Sequence, residues 1–241
     1  MRTYSSVGAT LYRMRARSPL LEGIVRHRSG LICFVSVALF ATICLLAQWL
    51  RPDLDWRQAP LSNYLKGHYG GWVRGAYYVL SMALVLLGAG LYGALRPHAR
   101  SAAPMLLLLV AGVALWATAI TETDLPHLTH GQENLLHKIA ALTTFVSVTT
   151  AMMLQSWRFH YDATWRRYFG LAFPLAVASF LALAVYAFWQ EPPEGLRQKT
   201  VIVLIVSWLG SAAWWLRCQQ QLAMRQMAGS AGRTTPQSPT G

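Results

Sequence analysis

The chain has 241 residues, of which 54% are hydrophobic and only 12% charged, and its formal net charge is +12. A soluble domain carries roughly 25% charged residues, so this composition leaves too little polar surface for a water-soluble globule, and the length suits one bundle rather than two domains. The positive excess therefore reads as charge flanking membrane spans and facing anionic lipid, not as a nucleic-acid interface, for which no motif is present.

Residues 1–28 are basic and rich in Arg and Ser. They superficially resemble a mitochondrial transit peptide, but Glu22 and the span close behind argue against that reading. The first apolar run, Ser29–Leu50, exceeds a signal-peptide core of about 7–15 residues and reads as a retained anchor. Five further runs follow: Trp72–Leu95, Ala102–Thr121, Leu135–Trp157, Tyr168–Trp189 and Thr200–Leu216. Each is long enough to span as a helix, which takes about 17–25 residues, and none alternates as a barrel strand would. The expected fold is an all-α, polytopic transmembrane bundle of about six helices. Its domain covers 29–217, between a basic cytoplasmic segment at 1–28 and a cytoplasmic, largely disordered tail at 218–241.

Charge sets the expected threading. With the N-terminus inside, 14 of the 21 Lys and Arg residues fall on the cytoplasmic side, and seven of the nine acids fall outside. That asymmetry favours both termini in the cytoplasm of a bacterial inner-membrane protein. Trp49, Trp56, Trp72, Tyr77, Tyr186 and Trp189 fit an outer aromatic belt, and Trp157, Trp165, Tyr168, Trp214 and Trp215 an inner one. Cys33 and Cys44 lie about 16 Å apart along one helix, beyond the reach of a disulfide. Cys218 is expected to be cytoplasmic and reduced.

GAGLYG, from Gly88 to Gly93, matches a dinucleotide fingerprint by letters only. The fingerprint needs a strand before it, whereas here it lies inside a membrane helix, where small residues allow close helix approach. Pro174 falls inside the fifth span and reads as a bend.

The two outer loops hold the polar chemistry. The first, RPDLDWRQAPLSNYLKGHYGGW, reads as a connector with a short interfacial helix or as a structured cap over the bundle. The second, TETDLPHLTHGQENLLHKIAAL, packs Glu122, Asp124, His127, His130, Glu133 and His137 into sixteen residues. Histidine titrates near neutrality and is the commonest metal ligand, and a nearby carboxylate supports acid–base chemistry. On a helix starting near Gly131, Glu133 and His137 stand one turn apart on one face. His130 and His137 would lie about 10.5 Å apart along the axis, too far to share a metal. Below His137 the face continues through Ala141, Thr144, Val148 and Ala151, small residues that point it toward a neighbouring helix. Asp124, Glu133 and His137 are thus the candidates for catalysis or for a divalent metal such as zinc. Asp53, Ser62, Tyr64, Glu122, His127 and His130 are candidates for a ligand or polar site.

Together these loops resemble the domain of unknown function 998 family of small bacterial and archaeal membrane proteins. The acid before PLSNYLKGHYGGW, then Asp124, the turn Thr129–His130–Gly131 and His137 carry the resemblance. It spans roughly Leu31 to Leu216 and implies a six-helix membrane domain. Residue by residue it points to Asp53, Ser62, Tyr64, Gly67, Gly71, Asp124, Gly131 and His137. A looser likeness to membrane zinc hydrolases of the ceramidase and progestin-receptor type lacks their late-helix histidines, since no His or acid falls within the fifth or sixth span.

The expected function is non-enzymatic: a small transporter, sensor or assembly partner with a polar outer pocket, in contact with the lipid bilayer and with a lipid or small-molecule ligand. The alternative is a membrane enzyme, with or without a metal, acting on a lipid or lipid-linked substrate at the outer leaflet through Asp124 and His137. A haem carrier needs axial histidines on facing helices, and only His137 falls inside a span.

The threading is checked by reporter fusions. A fusion at Gly241 is expected to report the cytoplasm and one at Gln132 the outside. Outside activity from the Gly241 fusion overturns the topology.

Overall fold

The structure, a computed structural model, describes residues 28–121, 130–189 and 191–231, without the side chains of His130, Glu133 and 227–231. Its elements are α1 (Ser29–Leu50), a 3-10 helix (Leu61–Leu65), α2 (Gly70–Ala94), α3 (Ala102–Ile120), α4 (His130–Tyr161), α5 (Arg166–Phe188) and α6 (Glu194–Ala231). All six α-helices are long and apolar enough to cross a membrane, and no strand occurs among the described residues. In hydrocarbon, backbone N–H and C=O groups have no water to bond, so continuous apolar runs close their hydrogen bonds within one helix. The protein is therefore a multi-pass membrane protein.

Five of the six helices follow the apolar runs to within about a turn or so. The sixth differs most. Helix α6 has 38 residues, about 57 Å at 1.5 Å per residue, against the Thr200–Leu216 expected from hydropathy. Hydropathy registers only the lipid-facing stretch. The flanking Glu194–Lys199 and Cys218–Gln226 segments contain mostly good helix formers and no proline, with Gly195 confined to the first turn, so the helix continues through them. The boundary expected between bundle and tail at 217–218 thus falls inside a helix.

Consecutive helices pack on one another, and α6 packs back on α1, which closes the bundle into a ring. Close backbone approach makes the seam. A Cβ on Gly30 would lie 2.3 Å from the Arg217 backbone nitrogen, and one on Gly90 would lie 2.6 Å from Ser29 Oγ and 2.7 Å from Leu216 Cδ2. Gly88 faces Leu108 of α3 as closely as 3.2 Å. The GAGLYG stretch is accordingly a helix-packing surface at Gly88 and Gly90, while Gly93 faces open space.

The two ends of the ring are tied by different devices. At one end, here called the base, Gln220 of α6 accepts from the Gly30 backbone N–H (3.1 Å) and donates to Ser29 Oγ (2.8 Å). This satisfies a first-turn N–H of α1 that has no partner within its own helix. Also at the base, the buried Asp162 accepts from the backbone N–H groups of Arg96 and Thr164, both at 2.9 Å. One carboxylate so joins the α2–α3 connection to the α4–α5 turn. Between the ends, the buried Trp208 of α6 donates to Ser156 Oγ of α4 (3.0 Å) and to the Ala172 carbonyl of α5 (3.1 Å).

The opposite end, the capped end, is covered by residues 51–69. Trp49, Trp72 and Trp189 are exposed there, and Trp157 and Trp214 are exposed toward the base, as belt residues should be. Tyr77 and Trp165 are instead buried. Tyr77 points inward against Phe40, and Trp165 stacks on Phe159. Distance along a helix sets a residue's depth in the membrane but not the face its side chain occupies. Cys33 and Cys44 are buried free cysteines, and Cys33 Sγ donates to the Ala83 carbonyl.

The α1–α6 seam predicts a contrast between glycines. Gly30→Ala forces two backbones apart and is expected to destabilise by about 1–3 kcal/mol. Gly93→Ala meets nothing and is expected to be neutral or to stabilise by about 0.5–1 kcal/mol through helix propensity. Apparent melting temperatures in one detergent measure both, and equal effects would contradict the seam.

Candidate ligand chamber

The ring encloses a cavity in its half toward the capped end. Helices α1, α2, α3, α4 and α6 and the 3-10 helix all contribute to its lining, and α5 does not. Its volume, measured to the centres of water-sized spheres, is about 70 Å³. One water needs about 10–15 Å³ on this measure, so the chamber has room for a short length of alkyl chain.

The walls are mostly apolar: Phe40, Leu80, Leu84, Leu115, Phe145 and Ile202 are among them. The polar members are Ser62, Tyr77, Thr118, His137, Thr144 and Gln198. Ser62 belongs to the cap, and Thr118, His137 and Gln198 each stand near the capped end of their helix. The chamber is thus mostly apolar in its depth, where Thr144 is the polar exception, and richer in polar groups toward one end. Thr118 and Thr144 donate their hydroxyl protons to carbonyls of their own helices, Ala114 and Ala140, both at 2.9 Å, so they offer the chamber lone pairs.

His137 is buried and its Nδ1 lies 3.3 Å from Thr121 Oγ1. The Thr121 hydroxyl is also within bonding distance of the Ala117 and Thr118 carbonyls, at 3.1 Å each. With its single proton directed at those carbonyls, Thr121 is placed to accept from His137 Nδ1–H. The stripe continuing from His137 is turned inward as its small residues required. Ala141, Thr144 and Val148 line the chamber, and Ala151 below them is fully buried.

The cap is built by main-chain carbonyls. Arg51 holds Asp53 through Nε (2.8 Å) and Nη2 (2.7 Å) and donates from Nη1 to the Lys66 carbonyl (2.8 Å). This closes the loop on itself. The hydrogen bond from Arg51 holds the Asp53 carboxyl below the usual carboxylate range. Gly67 follows at φ +81, a left-handed conformation, and a Cβ there would lie 2.6 Å from Arg51 Nη1. The cap then docks on the start of α6. The Gly195 and Leu196 N–H groups donate to the Gln58 and Arg57 carbonyls (3.1 and 2.8 Å), and the Leu61 N–H donates to Gln198 Oε1 (2.7 Å). Lys199 Nζ donates to the Trp56 carbonyl and sits 5.3 Å from the centre of the Tyr64 ring.

The structure therefore brings His137 and Ser62 to one chamber. Tyr64 is fully buried in the cap beside it, and Asp53 faces solvent on Arg51. The backbones of His130 and Glu133 form the first turn of α4, while Glu122, Asp124 and His127 lie outside the described residues. Thr118 and Gln198 join the site without having been singled out in the sequence. The available signal was a polar residue one or two turns inside the end of an otherwise apolar helix. Among the described residues no three of His, Cys, Asp and Glu gather as metal ligands do.

A closed ring of six membrane helices around an apolar chamber with a polar end defines a multi-pass membrane protein with an internal ligand-sized cavity. The chain belongs to the family described as protein of unknown function (DUF998), whose model matches residues 34–215. No curated protein and no solved structure matches it.

The Tyr64 hydroxyl is buried without a hydrogen-bond partner, and burial pushes it above the ordinary phenol range. An unsatisfied buried hydroxyl costs about 1–3 kcal/mol. Tyr64→Phe is therefore expected to leave thermal stability unchanged or to raise it. A clear loss of stability would show that the hydroxyl is paired.

Proposed function

We propose that this protein is a non-enzymatic binder of an amphiphilic molecule, working as a sensor or carrier in a bacterial cytoplasmic membrane. In this reading the apolar part of the ligand occupies the chamber, and its polar part meets His137, Thr118, Ser62 and Gln198. Both termini are cytoplasmic and the capped end faces outward. The observation that carries the reading is the one-sided polarity of the chamber. Its depth offers mostly Leu, Ile and Phe side chains, with Thr144 among them, and its other polar groups collect toward one end. Pockets that bind small ligands combine mostly apolar walls with a few placed polar groups, and this one has that composition.

Access is favoured from the bilayer between α4 and α6. Wall residues from α1, α2 and α3, such as Phe40, Leu84 and Leu115, are buried, whereas Ala141 and Phe145 of α4 and Ile202 and Val206 of α6 are only half-buried. Helix α5, which lies against that side, is the least buried of the six across its apolar window.

A second reading is a membrane hydrolase acting on a lipid or lipid-linked substrate. It is favoured by the placement of His137 on the chamber wall one turn after Glu133. It requires a carboxylate from Glu133 or Asp124 beside the ring, with or without a divalent metal such as zinc.

Native mass spectrometry from a neutral detergent separates these readings. The wild type is expected to carry one monoacylglycerol per chain, and Ala141→Phe, which fills the chamber, is expected to weaken that adduct by about tenfold or more, equivalent to about 1.4 kcal/mol. An adduct indifferent to Ala141→Phe overturns the binding reading. Stoichiometric zinc that is lost in Asp124→Asn supports the hydrolase.

A further inference from the structure

The chamber reading says where the chain of an amphiphile lies; the first turn of α6 says what its head carries. We propose that Arg197 is the recognition site for an anionic head group, a phosphate or carboxylate, on the amphiphile whose chain occupies the chamber. The proposal rests on the chamber reading given above.

Arg197 is one residue before the chamber residue Gln198. Its Nε and Nη1 are buried, and neither has a hydrogen-bond partner. A guanidinium is charged at every pH a protein meets, so burial does not neutralise it. Burying such donors without acceptors costs more than leaving a neutral group unpaired. Other cations at the capped end are engaged: Arg51 on Asp53 and the Lys66 carbonyl, Arg74 on the Leu65 carbonyl, and Lys199 on the Trp56 carbonyl. Glu194, one turn earlier on α6, is exposed and forms no ion pair with Arg197.

The surroundings connect this edge to the chamber. Gln198 donates from Nε2 to the Tyr186 hydroxyl at 3.4 Å. The Tyr186 ring is in edge contact with the chamber residue Phe145. Arg197 is thus the immediate neighbour on α6 of Gln198, a polar residue of the cavity wall. The backbone there cannot serve an anion instead. The Gly195, Leu196 and Arg197 N–H groups already donate to the Gln58, Arg57 and Pro193 carbonyls. Within the chamber, Thr118 and Thr144 have spent their protons on their own helices. The Arg197 guanidinium is an unspent charged donor; each of its two bidentate edges, Nε with Nη2 and Nη1 with Nη2, contains one of the unpartnered atoms and fits a phosphate or carboxylate edge.

The test uses the full chain in a neutral detergent and three probes: dodecyl phosphate, a twelve-carbon monoacylglycerol, and inorganic phosphate. Native mass spectrometry gives the relative affinities. Dodecyl phosphate is expected to bind about tenfold or more tightly than the monoacylglycerol, a difference typical of a charge-assisted pair. Arg197→Gln is expected to abolish that preference and leave the monoacylglycerol adduct unchanged, and Arg197→Lys to retain part of it. The head-group preference of the wild type decides the matter even where Arg197→Gln fails to fold. Equal binding of the two amphiphiles overturns the Arg197 assignment and leaves the chamber reading standing. Inorganic phosphate binding as tightly as dodecyl phosphate overturns the assignment to a lipid-like ligand. Absence of both amphiphile adducts overturns the chamber reading and this inference with it.

Discussion

The closure of α6 on α1 is the contact on which the other features depend. Without it the chain is a curved row of five antiparallel helix pairs with no interior. Two glutamines on α6 secure the closure where lipid cannot. Gln220 completes the first turn of α1 at the base, and Gln198 accepts from the cap at the other end. They are separated by 22 positions, about 33 Å along the helix, close to the thickness of a bilayer's hydrocarbon core of about 30 Å. Between them the seam combines small residues with the Phe34–Trp214 ring contact, because helices in lipid associate through close packing rather than through removal of apolar surface from water. The glycine at 30 and the serine at 29 supply that approach, and Gly90 of α2 joins them.

From that closure the chamber follows. Five helices and the cap enclose a space that large side chains fill at the base and leave open toward the capped end. Trp208 and Phe159 are fully buried in the lower part of the ring. Higher up, α4 presents Ala141 and Thr144, which are too small to reach across. The cap is held by hydrogen bonds with α6 and by the burial of Leu61, Tyr64 and Leu65, so the same helix that closes the ring also carries its lid. This explains why Gln198 serves three purposes at once: it fixes Leu61, it orients Tyr186, and it lines the cavity.

Much of this was legible in the sequence, for identifiable reasons. The bilayer demands long uninterrupted apolar runs, so five spans were readable to within about a turn or so, and Ser29–Leu50 at both ends. The inward face of α4 was readable because a small-residue stripe at helical spacing continues from His137. The cap was readable only as a choice between connector and structured lid, since its order comes from carbonyl contacts with α6 across more than 130 positions. The inward turn of Tyr77 and the role of Gln198 were not readable, because an aromatic or an amide near a span end suits lipid headgroups as well as a packed interior. Local sequence gives the depth of a residue in the membrane. Only the packing of neighbouring helices gives its face.

The ring and its chamber therefore depend on α1 and α6 being neighbours within one chain. A Cβ at Gly210 would lie 3.7 Å from Val37 Cγ1, midway along the seam. Val37→Cys with Gly210→Cys, in a chain whose native Cys33, Cys44 and Cys218 are replaced by serine, is expected to cross-link within the monomer under a short thiol-bridging reagent, seen as a faster-migrating single chain. Cross-linking only between two chains, or none at all in folded protein, would contradict the closed ring.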